Sequence, residues 1–460
     1  MDFISTRGQA APQAFADVLL AGPASDGGLF LPSAWPVLEK AEIAALAQRS
    51  YGEAAFAILS RFTDGSFSPD ALRADIEAAY AGFETPAVAP LVPLGQGLHL
   101  LELFHGPTLA FKDVAMQLLG RMFARALAER GRRATVVAAT SGDTGSAAIA
   151  ALGGMPNLDV FVLHPKGRVS EVQRLQMTTA PFGNVHNIAL EGSFDDAQAI
   201  VKALFADTTF ANDVNLTAVN SINFVRIAAQ IVYYFTAAAT LDAPPIFVVP
   251  TGNFGDVFAG EAAMRMGLAA ERLVVATNQN DILARALNRG VYETGEVHAT
   301  LSPSMDIQVA SNFERALFEA SGRDADWLRG AMADFARTRR LVLPDPVRQS
   351  LAARYAASRS DDAETLATIA RIYRDCGRLI DPHTAVAMTA AEAYRGGAAP
   401  VVVLSTAHPA KFPDAVRRAT GQVPPLPPRL KGLYDGVERV QTLPNNLEQV
   451  RTFIASRLDR

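Results

Sequence analysis

Short runs of β-branched and apolar residues recur at 134–138, 158–163, 246–249, 273–276 and 401–404, with alanine-rich stretches of helical length between them. Nothing else in the sequence constrains the fold as strongly. Strands separated by connections of this length pair in parallel, because each crossover is long enough to be a helix and too long to be a hairpin. The run Val401, Val402, Val403, Leu404 has no polar alternate residue, so both faces of its sheet are covered. Helices are expected over 114–130, 146–152, 221–241, 384–394 and 447–458, and over 41–47 and 71–81 in a first unit that precedes the strands. The class is therefore α/β, with parallel sheets.

Composition removes several kinds of function. At 460 residues with 49% apolar and 19% charged content, the chain is long enough for two or three well-cored domains. A net charge of −5 leaves no basic footprint for nucleic acid or an anionic membrane. The uncharged run 227–241 includes Gln230, Tyr233, Tyr234 and Thr236. It falls short of the ~20 apolar residues a span needs, so a buried helix is expected there. Asp2 and Arg7 bracket a polar opening unlike a secretory leader, and a cytoplasmic protein is expected. The single cysteine, Cys376, and seven scattered histidines offer neither a disulfide framework nor metal-ligand spacing. No GxGxxG, P-loop, HExxH or GxSxG motif occurs.

What remains is concentrated where α/β sheets bind ligands, beyond the carboxyl ends of strands. TSGDTG (Thr140 to Gly145) follows the run 134–138 and enters a helix, where free N–H groups and a positive dipole end are available. Asp143 or Ser141 could equally be a helix cap. PTGNFGD (Pro250 to Asp256) places two glycines three apart before a helix, a backbone arrangement suited to phosphate and also to a plain turn. STAHPAKF (Ser405 to Phe412) puts two hydroxyls, a histidine and a proline after the run 401–404. HGPTLAFKD (His105 to Asp113) holds a lysine among small and apolar residues at a helix start, where the macrodipole disfavours an ammonium. A neutral lysine amine is what carbonyl chemistry requires.

In this order and spacing the four segments resemble threonine synthase, a pyridoxal-phosphate enzyme of fold type II. FISTRG (Phe3 to Gly8), DGGLFLP (Asp26 to Pro32), NSINFVRIAAQ (Asn220 to Gln230), DIQVASNFER (Asp306 to Arg315) and DPHTAVA (Asp381 to Ala387) extend the resemblance over nearly the whole chain. It implies two parallel-sheet α/β domains, tryptophan synthase β-like, with a small N-terminal α+β domain. The expected units are 1–83, a large cofactor domain of 84–130 and 215–430, a small domain of 131–214, and a helical tail, 431–460.

The resemblance further implies that Lys112 carries pyridoxal 5'-phosphate and acts as the base at the substrate Cα. Gly252, Asn253, Phe254 and Gly255 would cradle the cofactor phosphate. Asp143 would contact the ring 3′ oxygen, at a position where asparagine is commoner, and Thr406 would face the ring nitrogen. Substrate contacts would come from Ser141, Thr144, Asn220, Ser221, Asn223 and Arg226, with Lys166 and Arg168 as further phosphate donors. The implied reaction converts O-phospho-L-homoserine and water to L-threonine and phosphate, the last step of threonine biosynthesis, in a monomer or homodimer. A phospholyase releasing a keto acid, or a non-catalytic metabolite-binding homologue, would carry the same cofactor motifs.

Overall fold

The computed structural model describes residues 1–140, 142–218 and 220–458. Its largest sheet has six strands, in the order Tyr355–Arg359, Arg272–Thr277, Ile246–Pro250, Val401–Ser405, Leu98–Glu102, Leu91–Gly95. All neighbours are parallel except the last two, which form an antiparallel hairpin at the edge. The central strands Ile246–Pro250 and Val401–Ser405 are buried at every position, as their unbroken apolar sequence requires. The expected helices form as Lys112–Glu129, Asp143–Leu152, Phe224–Ala239, Pro382–Ala391 and Leu447–Arg457.

Two expectations change. The second sheet contains Ala134–Ala139, Leu158–Pro165 and Val185–Glu191, but also Leu216–Thr217 and Gln441–Pro444 at its two edges. The stretch expected as a separate helical tail, 431–460, thus adds a strand to the smaller sheet, and its helix packs Val450 and Ile454 into that sheet's core. A polar edge strand such as Gln441–Pro444 carries no apolar alternation for sequence to reveal. The helix expected from 221 starts at Phe224, because the Asn223 side chain accepts the Val225 N–H at 3.0 Å and caps it. Ser221 and Ile222 are thereby left in a loop.

The helix Phe224–Ala239 is buried on nearly all sides and packs against the helices Gly255–Arg265, Lys112–Glu129 and Tyr51–Thr63. The last of these belongs to the N-terminal unit, whose three-stranded antiparallel sheet is Gln13–Ala14, Asp2–Ser5, Phe30–Pro32. Phe3 and Phe62 meet Phe224 with ring centroids at 5.0 and 5.6 Å, so the N-terminal unit is welded to the centre of the molecule. None of the described helices is long and apolar enough to cross a membrane.

Candidate active site

Three adjacent strands of the large sheet, Ile246–Pro250, Val401–Ser405 and Leu98–Glu102, each deliver one of the polar segments at its carboxyl end. Two of these segments are stitched together. The Phe111 N–H donates to the Thr406 carbonyl at 2.8 Å and the His408 N–H to the Leu109 carbonyl at 3.0 Å. Lys112, the first residue of its helix, is thus held beside Thr406. The smaller sheet contributes Asp143, at the start of the helix that follows Ala134–Ala139.

Lys112 is buried, and its Nζ lies 3.4 Å from Ser304 Oγ and 3.6 Å from Asp143 Oδ2. Burial lowers its pKa, against the pull of Asp143 and with the help of Lys411 and Arg226 nearby. Asp143 does not cap its helix. Its Oδ1 takes Lys411 Nζ at 2.6 Å and Gln173 Nε2 at 2.8 Å, and its Oδ2 takes Ser304 Oγ at 3.0 Å. Burial alone would raise this carboxyl, but Lys411 and then Lys112 hold it well below the usual carboxylate range. Ser304 is itself fixed, its N–H donating to His383 Nε2 at 3.2 Å while His383 Nδ1 meets Asp381 Oδ2 at 2.7 Å.

The loop after Ile246–Pro250 is a backbone anion site. Phe254 takes φ +65°, a conformation that costs a bulky residue ~1–3 kcal/mol. Its buried ring, packed on Phe313 and Tyr355 at 5.1 and 5.3 Å between centroids, holds it there. Among the described residues, the N–H groups of Gly252, Asn253 and Phe254 meet no backbone acceptor. A Cβ at Gly252 would stand 2.8 Å from the Ser304 carbonyl oxygen, so it is this close approach that requires glycine there.

A second buried cation lies near enough to Lys112 to help lower its pKa. Arg226 is buried, its Nε and Nη1 have no hydrogen-bond partner among the described residues, and burial pushes its pKa down to about 10. A desolvated guanidinium with free donors is costly unless an anion completes it. Of the other substrate candidates, Asn223 is engaged at both ends of its amide, by Val225 N–H and by the Leu19 carbonyl at 2.8 Å. Asn220 Oδ1 accepts the Ile222 N–H at 3.2 Å, and Ser221 presents its carbonyl to Asn312. Thr144 is half-buried in the first turn of its helix, and Lys166 pairs with Glu191 on the surface. Ser141 lies outside the described residues.

Arg315, fully buried, ties these parts together. It donates to the carbonyls of Phe30 in the N-terminal sheet, at 3.1 Å, and Ile222, at 2.7 Å, and it also bonds Asn312 Oδ1. Asn312 Nδ2 in turn reaches the carbonyls of Asn253 and Ser221, each at 3.1 Å. Ser304, Gln173, Lys411 and Arg315 were not singled out from sequence. Lys411 had the same signal as Lys112, a lysine in a small, apolar stretch after a buried strand. Ser304 and Gln173 had none.

A buried amine of lowered pKa beside a backbone anion loop defines an enzyme that works through a phosphorylated carbonyl cofactor. Similarity to known proteins narrows the class. A family model described as pyridoxal-phosphate dependent enzyme matches residues 84–406, flanked by models for the threonine synthase N terminus at 2–80 and the threonine synthase C-terminal region at 384–454. Threonine synthase of Pseudomonas aeruginosa is 49% identical over 100% of this chain and 99% of its own. That of Saccharomyces cerevisiae is 41% identical over 95% of this chain and 91% of its own. The crystal structure of pyridoxal-phosphate-bound threonine synthase from Brucella melitensis superposes with a TM-score of 0.97 at 50% identity, covering 99% of both chains. The chain belongs to the threonine synthase family of pyridoxal-phosphate-dependent enzymes.

The residues present fit that cofactor. The free N–H groups at 252–254 suit its phosphate, and the buried Lys112 amine suits its carbonyl.

Proposed function

We propose that this chain converts O-phospho-L-homoserine and water to L-threonine and inorganic phosphate, with Lys112 as the cofactor attachment residue. The observation that carries the reading is the presence of two separate anion holders around one buried amine. The 252–255 loop offers backbone donors and Arg226 an unsatisfied guanidinium, near enough to Lys112 to lower its pKa. A phosphorylated cofactor and a phosphorylated substrate need one each.

Bound pyridoxal phosphate supplies the electron sink that lets protons leave the substrate carbons and phosphate leave Cγ. The protein does the rest. The Lys112 amine, its pKa lowered by burial, takes the Cα proton. Arg226 holds the substrate phosphate and stays with it as it departs, offsetting the charge that grows on the leaving oxygen. Asn220, Ser221 and Thr144 are the further substrate contacts we assign. Asp143, already held by Lys411, Gln173 and Ser304, would sit beside the ring oxygen of the cofactor, and the Thr406 hydroxyl would face the ring nitrogen without imposing a charge on it. We further assign a cytoplasmic location and no nucleic-acid or membrane partner, supported by the net charge of −5.

The test is borohydride reduction of the yellow protein, followed by peptide mapping and product analysis. Label on Lys112, with threonine and phosphate formed in equal amounts, is the expected result. Lys112→Ala should leave the fold intact and abolish both label and turnover. Label on another lysine defeats the site assignment, and 2-oxobutyrate in place of threonine defeats the reaction.

A further inference from the structure

Asp143 stands between two buried lysines and serves them unequally. Lys411, with no exposed surface, approaches Oδ1 at 2.6 Å and gives a second hydrogen bond to the Thr108 carbonyl at 2.7 Å. Lys112 stays 3.6 Å from Oδ2, and the Ser304 hydroxyl occupies that oxygen at 3.0 Å. Gln173 fills the remaining room on Oδ1. One carboxylate in a dry site neutralises one ammonium, and a second ammonium beside it would be buried unpaired. The closer lysine has claimed it.

We propose that Lys411 is a positioning residue whose ammonium is the standing counter-ion of Asp143, so that Lys112 is excused from that duty and remains a free amine. The assignment rests on Lys112 being the attachment residue. It gives Ser304 a role as spacer. Held by His383 and Asp381, it keeps Lys112 from closing on Asp143 while still accepting a hydrogen bond from the amine. The other charged groups around the pair do not substitute for Lys411. Arg226 adds positive charge and works against protonation of Lys112. Asp113, on the lysine's own helix, is taken by the Thr108 N–H and hydroxyl, each at 2.7 Å. His383 is engaged by Asp381 and by the Ser304 N–H. With Lys411 gone, Lys112 is the only flexible cation among the described residues left within reach of Asp143. The direction of the Lys112 shift, downward with Lys411 contributing, agrees with this geometry.

The experiment titrates Lys112 itself. The full chain, stripped of cofactor, is labelled with acetic anhydride across pH, and acetylation of Lys112 is followed by mass spectrometry. The pH dependence of absorbance on adding pyridoxal phosphate is read in parallel. In Lys411→Met both midpoints should rise by about one pH unit or more, which is about a ten-fold loss of free amine at neutral pH. Lys411→Met with Asp143→Asn should return them to near the wild-type position, since no uncompensated carboxylate remains. A structural defect would not be repaired by a second substitution of that kind. Asp143→Asn alone should move the midpoints below wild type, which keeps the inference testable if Lys411→Met does not fold. Unshifted midpoints in Lys411→Met, a double variant as displaced as the single, or an Asp143→Asn midpoint at or above wild type would each overturn it. Borohydride label away from Lys112 in the wild type would instead overturn the underlying site assignment.

Discussion

The guanidinium groups of Arg265 and Arg226 are both taken largely out of water, and the protein treats them in opposite ways. Arg265 is closed in by Glu261, at 2.9 and 2.7 Å, and by Glu319 at 3.0 Å. Those carboxylates are completed in turn by Tyr355 and Arg354 on one side and by Trp35 and Arg323 on the other. Among the described residues, Arg226 Nε and Nη1 have no hydrogen-bond partner. A satisfied buried cluster adds to the architecture, whereas an unsatisfied one costs stability until something binds. That contrast, rather than charge or burial alone, is what singles out Arg226 as the arginine proposed to bind the substrate phosphate.

Four substitutions would break or sharpen the contrast. The largest effect is expected for Glu319→Ala, which takes a carboxylate partner from Arg265 and Arg323 and the acceptor from the Trp35 N–H at once. It should cost ~3–5 kcal/mol in urea unfolding of the cofactor-free chain, with KM unchanged in whatever protein folds. Arg226→Met should do the reverse. The cofactor-free chain should melt a few degrees higher because an unpaired charge is gone, while KM for the phosphorylated substrate rises at least ~30-fold, the equivalent of ~2 kcal/mol. A lowered melting point in Arg226→Met would make that arginine structural and dissolve the comparison. The smallest effects lie within the anion loop. Gly252→Ala meets the Ser304 backbone oxygen at 2.8 Å, and Gly255→Ala meets the Asn312 amide nitrogen at 3.2 Å. Overpacking of this kind costs ~1–3 kcal/mol, so equilibrium dialysis should show cofactor affinity about ten-fold weaker for Gly252→Ala and less affected for Gly255→Ala. Equal affinities would place the cofactor phosphate elsewhere.

The buried strands and the chemistry-bearing loops were legible because each is continuous in sequence. Val401 to Leu404 can only be an interior strand, and Lys112 announces itself by its apolar neighbours. Legibility failed where polarity or proline hid an edge. Pro93 conceals the strand Leu91–Gly95, which is outermost, the one place in a sheet where a missing N–H is tolerated. Gln441–Pro444 escaped notice for a related reason, since an exposed edge strand needs no apolar face. In the site, the positions of Asp143, Thr406 and the 252–255 loop follow from strand order. The Ser304 spacer comes from a one-turn helix, Pro303–Met305, far along the chain, and its meaning exists only through contacts with Lys112, Asp143 and His383.

The reach of Arg315 bears on how such a chain can be recombined. Its bonds to the carbonyls of Phe30 and Ile222, and through Asn312 to those of Ser221 and Asn253, make one side chain the common anchor of three stretches encoded far apart. Carbonyl acceptors are blind to side-chain identity, so residues 30, 222 and 253 can drift in type while the anchor holds. They cannot drift in register. An insertion of one residue before Phe30 would present the wrong carbonyl and loosen the 221–222 and 252–255 loops from a distance. The N-terminal stretch is therefore exchangeable between relatives by substitution but not by cut and splice, unless the seam preserves the spacing down to the single residue.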